Sequence, residues 1–296
     1  MVKVRARRKC CAFCARQPIF NIHKKYCRTC RRMLLRLRPK RLPVEAIKAL
    51  RDYVRKYGWV CYYTRMALDV TDPHSPWYCV FDHWIPNDNR KIVITSALIN
   101  EMKADLSEKE FWCLIIMLAS LKRNGTKVRK IKLRYWNRDE DPYSFGNDVH
   151  TTYPLKGYRK CIVCGKRIQS AYFNNQYCSV CGFYVERMRI RRFSPQTIAD
   201  ICKYIHKKGY KCFFTGMSLE VKNYKSPWHC VLAHLVPGDF TKIVLTSAVV
   251  SVLKAGLTEK DFWYYVLQMA DYKEKGRKIR KKNLASWFRL CPADDV

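Results

Sequence analysis

Cysteines paired at CxxC spacing are the residues most able to do chemistry in this chain. Cys11-x2-Cys14, twelve residues, then Cys27-x2-Cys30 form one set. Cys161-x2-Cys164, thirteen residues, then Cys178-x2-Cys181 form the other. A CxxC turn brings two sulfurs to a metal at about 2.3 Å, and two such turns close a tetrahedron with no water position. The spacing therefore predicts two structural Zn2+ sites. Cys10 is an alternative to Cys11, although Arg159-Lys160-Cys161 in the second set favours Cys11, and His23 competes less well. Redox CxxC pairs or ordinary buried thiols are the other reading of the same residues.

A second constellation is written twice. Cys61, Thr64, Met66, Leu68, Ser75, Pro76, Trp77, Cys79, Val80, His83, Pro86 and Asp88 recur 151 positions on, from Cys212 through His234 to Asp239. The register continues through KIVITSA (91–97) against KIVLTSA (242–248), and LSEKEFW (106–112) against LTEKDFW (257–263). Residues 61–112 resemble the HNH endonucleases, of the phage- and intron-associated type. The core of that type reads C-x-x-T-G, D-H-x-x-P, N-x-V, N-x-x-K and E-F. Cys61 and Thr64 fit the opening, with Arg65 in place of Gly; the second copy has Gly216. Asp82-His83 and Pro86 fit the centre, Asn100 and Lys103 the close, and Glu110-Phe111 the end.

The resemblance implies that Asp82 and Asn100 are Mg2+ ligands and that His83 is the general base. A hard dication would stabilise the phosphorane-like charge, and neutral imidazole would activate water. The orienting Asn of that family should precede Ile92-Val93, but Lys91 stands there; Asn89, two residues early, substitutes only with a bulge. The second copy has Ala233 for Asp82 and Ser251 for Asn100 while keeping His234. Any cleavage therefore belongs to the first copy, and the shared His equally suits a packing role. Cys61, Cys79, Cys212 and Cys230 read as buried free thiols.

Four stretches mix aliphatic residues with Arg and Lys. The first holds Arg31, Arg32, Arg36, Arg38, Lys40 and Arg41. The second holds Arg187, Arg189, Arg191 and Arg192. The third holds Arg129, Lys130, Lys132 and Arg134, and the fourth Arg277, Lys278, Arg280, Lys281 and Lys282. Apolar side chains there can hold the backbone down while the cations face phosphates. Lys91, Lys242, Lys103 and Lys254, kept in both copies, are further phosphate-contact candidates. Nearby Tyr and Trp could stack on unpaired bases. A solvated helix face is the bland alternative.

Helices and short strands must position these groups. Val44, Ile47, Leu50 and Val54 share a helical face that ends at Gly58. Ile198, Ile201, Cys202 and Ile205 do the same from Ser194-Pro195 to Gly209. Ser107-x-x-Glu110 and Thr258-x-x-Asp261 are capping boxes opening terminal helices, and Asn124-Gly125 stops the first. KIVIT, KIVLT and the stretch around Tyr78–Phe81 are strand candidates, so each copy reads as a ββα unit. The expected organisation is α+β. Its divisions are a zinc module with basic stretch (1–42), an HNH-like unit (43–134), a linker (135–157), a second zinc module (158–193) and a degenerate HNH-like unit with a basic end (194–296).

A formal charge of +34, from 58 Lys and Arg against 24 Asp and Glu, points to nucleic acid as partner. RNA and DNA stay open. FWCLIIMLA (111–119), the longest apolar run, is too short to span a bilayer. The N-terminus lacks a secretory apolar region, and thiolate sites suit an intracellular, reducing compartment. The expected function is nucleic-acid binding on a degenerate duplicated scaffold, as in a ribonucleoprotein or ribosome-associated protein. The alternatives are a homing-type Mg2+ endonuclease active in the first copy and a duplex-DNA regulatory factor.

Overall fold

The computed structural model describes residues 10–17, 25–37, 42–136, 153–171, 176–282, 284 and 287. The fold is α+β, with eight helices and three two-stranded antiparallel sheets among these residues. In the first copy α1 (Arg28–Leu37) and α2 (Val44–Tyr57) precede strands β1 (Cys79–His83) and β2 (Ile92–Ser96), then helices α3 (Ala97–Lys103) and α4 (Glu108–Asn124). In the second copy β3 (Tyr153–Lys160) and β4 (Arg167–Ala171) come first. The pattern then repeats as α5 (Ser179–Ile190), α6 (Pro195–Lys208), β5 (Cys230–His234), β6 (Ile243–Ser247), α7 (Ala248–Lys254) and α8 (Glu259–Lys275). None of the described helices is long and apolar enough to cross a membrane.

The expected strands and helices form where their local signals lie. β1 and β2 pair from Cys79↔Ser96 to His83↔Ile92, and β5 and β6 pair from Cys230↔Ser247 to His234↔Ile243. The Ser107 box closes on itself: the Ser107 N–H donates to Glu110 Oε2 at 2.8 Å, and the Glu110 N–H donates back to the hydroxyl at 3.4 Å. Gly125 ends α4 in the left-handed region at φ +66°, where a side chain would be strained. The face of α2 differs from expectation. Val44 is 77% exposed, and Ala46 joins Leu50 and Val54 in the core, because the helix starts at Val44 and its first turn overhangs solvent.

Three features lie outside the sequence reading. The stretches after the cysteine modules are helical, as α1 and α5. A short helix, α3 or α7, stands between each hairpin and its terminal helix, capped by Ser96 or Ser247. β3 begins inside the span expected as linker; residues 137–152 of that span, with Arg38, Lys40, Arg41 and His23, lie outside the described residues.

The chain forms two compact units that divide within α4 and α8 rather than at the linker. One comprises residues 1–112, 268–283 and 289–296, the other 113–267 and 284–288. In the first unit Val54, Cys61, Ile94, Leu98, Ile99, Met102, Leu106 and Phe111 are buried at the heart of the core. In the second, Cys212, Leu245, Val249, Leu253, Leu257, Phe262 and Val266 are their counterparts. Each unit thus holds one hairpin and the segment that follows the other copy's terminal helix.

Candidate functional site

Both cysteine sets converge. Cys11, Cys14, Cys27 and Cys30 place their sulfurs within 4.8 Å of one another, as do Cys161, Cys164, Cys178 and Cys181. The Cys164–Cys178 sulfurs are 3.9 Å apart, close to the edge of about 3.8 Å that a tetrahedron with 2.3 Å Zn–S bonds has. Each knuckle turns through a left-handed residue, Ala15 at φ +54° and Gly165 at φ +70°. Backbone N–H groups then point at sulfur: Cys27 N to Cys11 Sγ at 3.3 Å, and Cys181 N to Cys178 Sγ at 3.5 Å. The Cys181 thiol and its backbone N–H favour the charged form of Cys178 and lower it to about 5. Four mostly buried thiols with aimed N–H donors fit a structural Zn2+. The first module is strapped to α2 by Arg55, which donates to the carbonyls of Ala12 (2.7 Å) and Phe13 (3.1 Å). In the second, the Tyr210 hydroxyl donates to Cys181 Sγ at 3.2 Å.

Asp82 is sealed into the first unit. Alternation along β1 turns it to the core, where it is 6% exposed. The Lys103 ammonium lies 3.2 Å from its Oδ2 and also donates to the His83 carbonyl at 2.9 Å. The Tyr63 hydroxyl donates to Oδ2 at 2.7 Å. Burial pushes the Asp82 carboxyl up, against the pull of Lys103 and Tyr63. Asn100, the other expected Mg2+ ligand, lies half-buried one turn before Lys103 on α3. An ammonium and a phenol already take the carboxylate, so this donor set does not fit a hexacoordinate dication.

The second copy alters the same cluster in concert. Phe214 stands for Tyr63 and Ala233 for Asp82, while Lys254 stays, 4% exposed. Lys254 donates to the Leu257 carbonyl. With no carboxylate beside it, burial lowers it to about 8, with Glu259 opposing. Lys103 and Lys254, expected at phosphates, are therefore internal cations. Arg187 corrects the expectation in the same way: it is buried, with its guanidinium 5.2 Å from the Phe183 ring centre. Its counterpart Arg36 is half-buried, donates to the Cys79 carbonyl at 3.0 Å and lies over Tyr78.

His83 meets Asn89, whose Oδ1 is 2.9 Å from Nε2. A carbonyl oxygen only accepts, so Nε2 carries the proton and Nδ1 is the basic nitrogen. The strand needs no bulge, since His83 stays in register with Ile92. The turn through Asn87, at φ +64°, brings Asn89 back instead. Phe240 replaces Asn89 in the second copy and packs edge-on to His234 at 4.8 Å, while His234 Nδ1 lies 3.1 Å from the Asp239 carbonyl. One His has a polar partner and the other an aromatic one. The sequence reading missed Tyr63 as the partner of Asp82; the joint change to Phe214 and Ala233 was its signal.

The stretches after α4 and α8 are built alike. Val128 and Leu133 are buried, while Arg129, Lys130, Lys132 and Arg134 are exposed. Ile279 and Leu284 are buried, while Arg277, Lys278, Arg280 and Lys281 are exposed and Lys282 is half-buried. In the second unit Trp228 Nε1 donates to the Ile131 carbonyl at 3.3 Å, and Lys130 pairs with Glu220 at 2.7 Å. In the first, Lys281 stands 5.5 Å from the Trp77 ring centre. Arg31 and Arg32 on α1, Arg189 on α5 and Arg192 after it are exposed, and Arg191 is half-buried. Lys91 and Lys242 are exposed; Lys91 lies over Trp84 and Lys242 pairs with Asp239.

No protein-family model matches this chain, and no curated protein or solved structure matches it either.

Proposed function

We propose that this chain binds nucleic acid as a stable, non-cleaving component of a ribonucleoprotein, built on two ββα units of the HNH type. The carrying observation is the pair of equivalent segments at 125–134 and 276–284. In both, buried aliphatic residues alternate with exposed Arg and Lys, on a chain of net charge +34. Anchored backbone with outward cations is what phosphate contact requires, and each neutralised phosphate releases counterions. Binding without cleavage follows from Lys103, whose ammonium takes the carboxylate that a catalytic metal needs. Thiolate zinc modules suit a reducing, intracellular compartment.

The hydrogen bond between His83 and Asn89 favours a second reading, a Mg2+-dependent endonuclease working from the first copy. It requires Asp82 to leave both Lys103 and Tyr63. The test is titration of labelled RNA and DNA at low salt beside a plasmid-nicking assay with Mg2+ or Mn2+. We expect tight binding and no nicks. Absence of binding to either polymer removes the first reading. Nicking that His83→Ala and Asp82→Ala both abolish establishes the second.

A further inference from the structure

We propose that Tyr53, Tyr57, Tyr62 and Trp84, with Arg65 laid over the tyrosines, form a stacking platform for unpaired bases of a single-stranded nucleic acid. The proposal rests on the nucleic-acid reading and gives it a site and a substrate class. The four rings make a continuous track in the first unit. Tyr57 and Tyr53 have centroids 5.0 Å apart, Tyr53 and Tyr62 6.0 Å, and Tyr62 and Trp84 6.4 Å. Tyr57 is 41% exposed and the other three are half-buried. Cations line the track: Lys56 is 5.0 Å from the Tyr57 centroid and Lys91 5.3 Å from that of Trp84. A single strand is held by this combination, with rings for the bases and positive charge for the backbone.

Arg65 argues that the arrangement is more than packing. Its guanidinium carbon lies 4.5 Å from the Tyr57 centroid, 5.3 Å from Tyr53 and 5.9 Å from Tyr62. It donates to the Tyr53 hydroxyl at 2.8 Å. Its backbone is left-handed, at φ +56°, where the second copy has Gly216 at φ +67°. A long side chain is strained there and glycine is not, so the first copy keeps Arg65 against local preference. An exposed guanidinium plane on aromatic rings is itself a surface for a base. The second copy folds the same elements without the platform, since Lys208, Gly216 and Leu235 replace Tyr57, Arg65 and Trp84. Glu108 accepts from the indole N–H of Trp84. Its carboxylate disfavours a phosphate at that end and can accept from an exocyclic amine.

The test uses the full chain and oligonucleotides of one length, as single-stranded RNA, single-stranded DNA and their duplexes, at one salt concentration. A single-stranded probe carrying 2-aminopurine reports base stacking by its quenching. The variants Tyr57→Lys, Arg65→Gly and Trp84→Leu each copy the second repeat, so each residue is one this fold already accommodates. Each is expected to weaken single-strand binding by about tenfold and to reduce quenching, while duplex binding holds or rises. The polymer bound more tightly by wild type identifies RNA or DNA as the source of the bases. Single-strand affinity within about twofold of wild type in all three variants, or equal losses on single strands and duplexes, overturns the platform. Wild-type protein that binds none of the four probes overturns the nucleic-acid reading itself, which distinguishes the two failures.

Discussion

A buried lysine that keeps its carboxylate in one repeat and lacks it in the other tests what the carboxylate does. Lys103 has Asp82 and Tyr63 beside it; Lys254 has Ala233 and Phe214 at the equivalent positions. Removing one partner of a buried pair leaves an uncompensated charge and costs about 3–5 kcal/mol. We expect Asp82→Ala to destabilise the chain by that amount, because Lys103 then has only the His83 carbonyl of the bonds it makes now. The phenol would also lose its acceptor, so adding Tyr63→Phe should return about 1 kcal/mol. Tyr63→Phe alone, made with the carboxylate present, should destabilise. The sign reversal is the signature of coupling. Urea unfolding at constant slope measures it; additive effects of the two changes would mean that Tyr63 and Asp82 act independently.

Among the elements, the zinc modules tie the N-terminal helix of each copy to the rest. Cys27 immediately precedes α1 and Cys30 lies within it, while Met33 and Leu37 bury its inner side. Structural zinc contributes about 10–16 kcal/mol of binding free energy that appears as folding free energy. Cys30→Ser should lower bound zinc from two ions to one per chain and strip α1 of its hydrogen-exchange protection. β1 and β2 keep theirs, since their pairing rests on Ile94 and Cys79 in a separate core. Elemental analysis with exchange mass spectrometry checks both; unchanged zinc content would reassign the ligand. Such elements were readable because their signals are local: paired cysteines, capping boxes, and KIVIT beside a turn. The seven-residue α3 was missed because its one strong cue is the Ser96 cap. The inward course of Lys103 was unreadable for a different reason. It depends on Tyr63 and Asp82, some forty and twenty residues earlier, meeting it across the hairpin, and a spacing pattern carries no such information. Asn89 was misjudged because its reach depends on how the turn folds back, not on its distance along the strand.

At the scale of the whole molecule the question is whether a charge of +34 acts as a diffuse cloud or through particular segments. A diffuse field attracts any polyanion and is insensitive to which cations are removed. Anchored contacts lower the salt dependence by about 0.9 per phosphate lost on duplex, or about 0.7 on single strands. The buried Val128, Leu133, Ile279 and Leu284 hold the two segments against the folded units, so their cations are positioned rather than tethered. Neutralising Arg129 and Lys132 together, each to Gln, should reduce the slope of log affinity against log salt by about 1.5–2. Arg277→Gln with Lys278→Gln should do the same from the other segment, and the four changes together should add, because the segments belong to different units. Lys203→Gln with Lys207→Gln, on exposed positions of α6, removes the same charge without touching either segment and should leave the slope near wild type. If all three pairs lower the slope equally, the charge acts as a field and the segments have no special role.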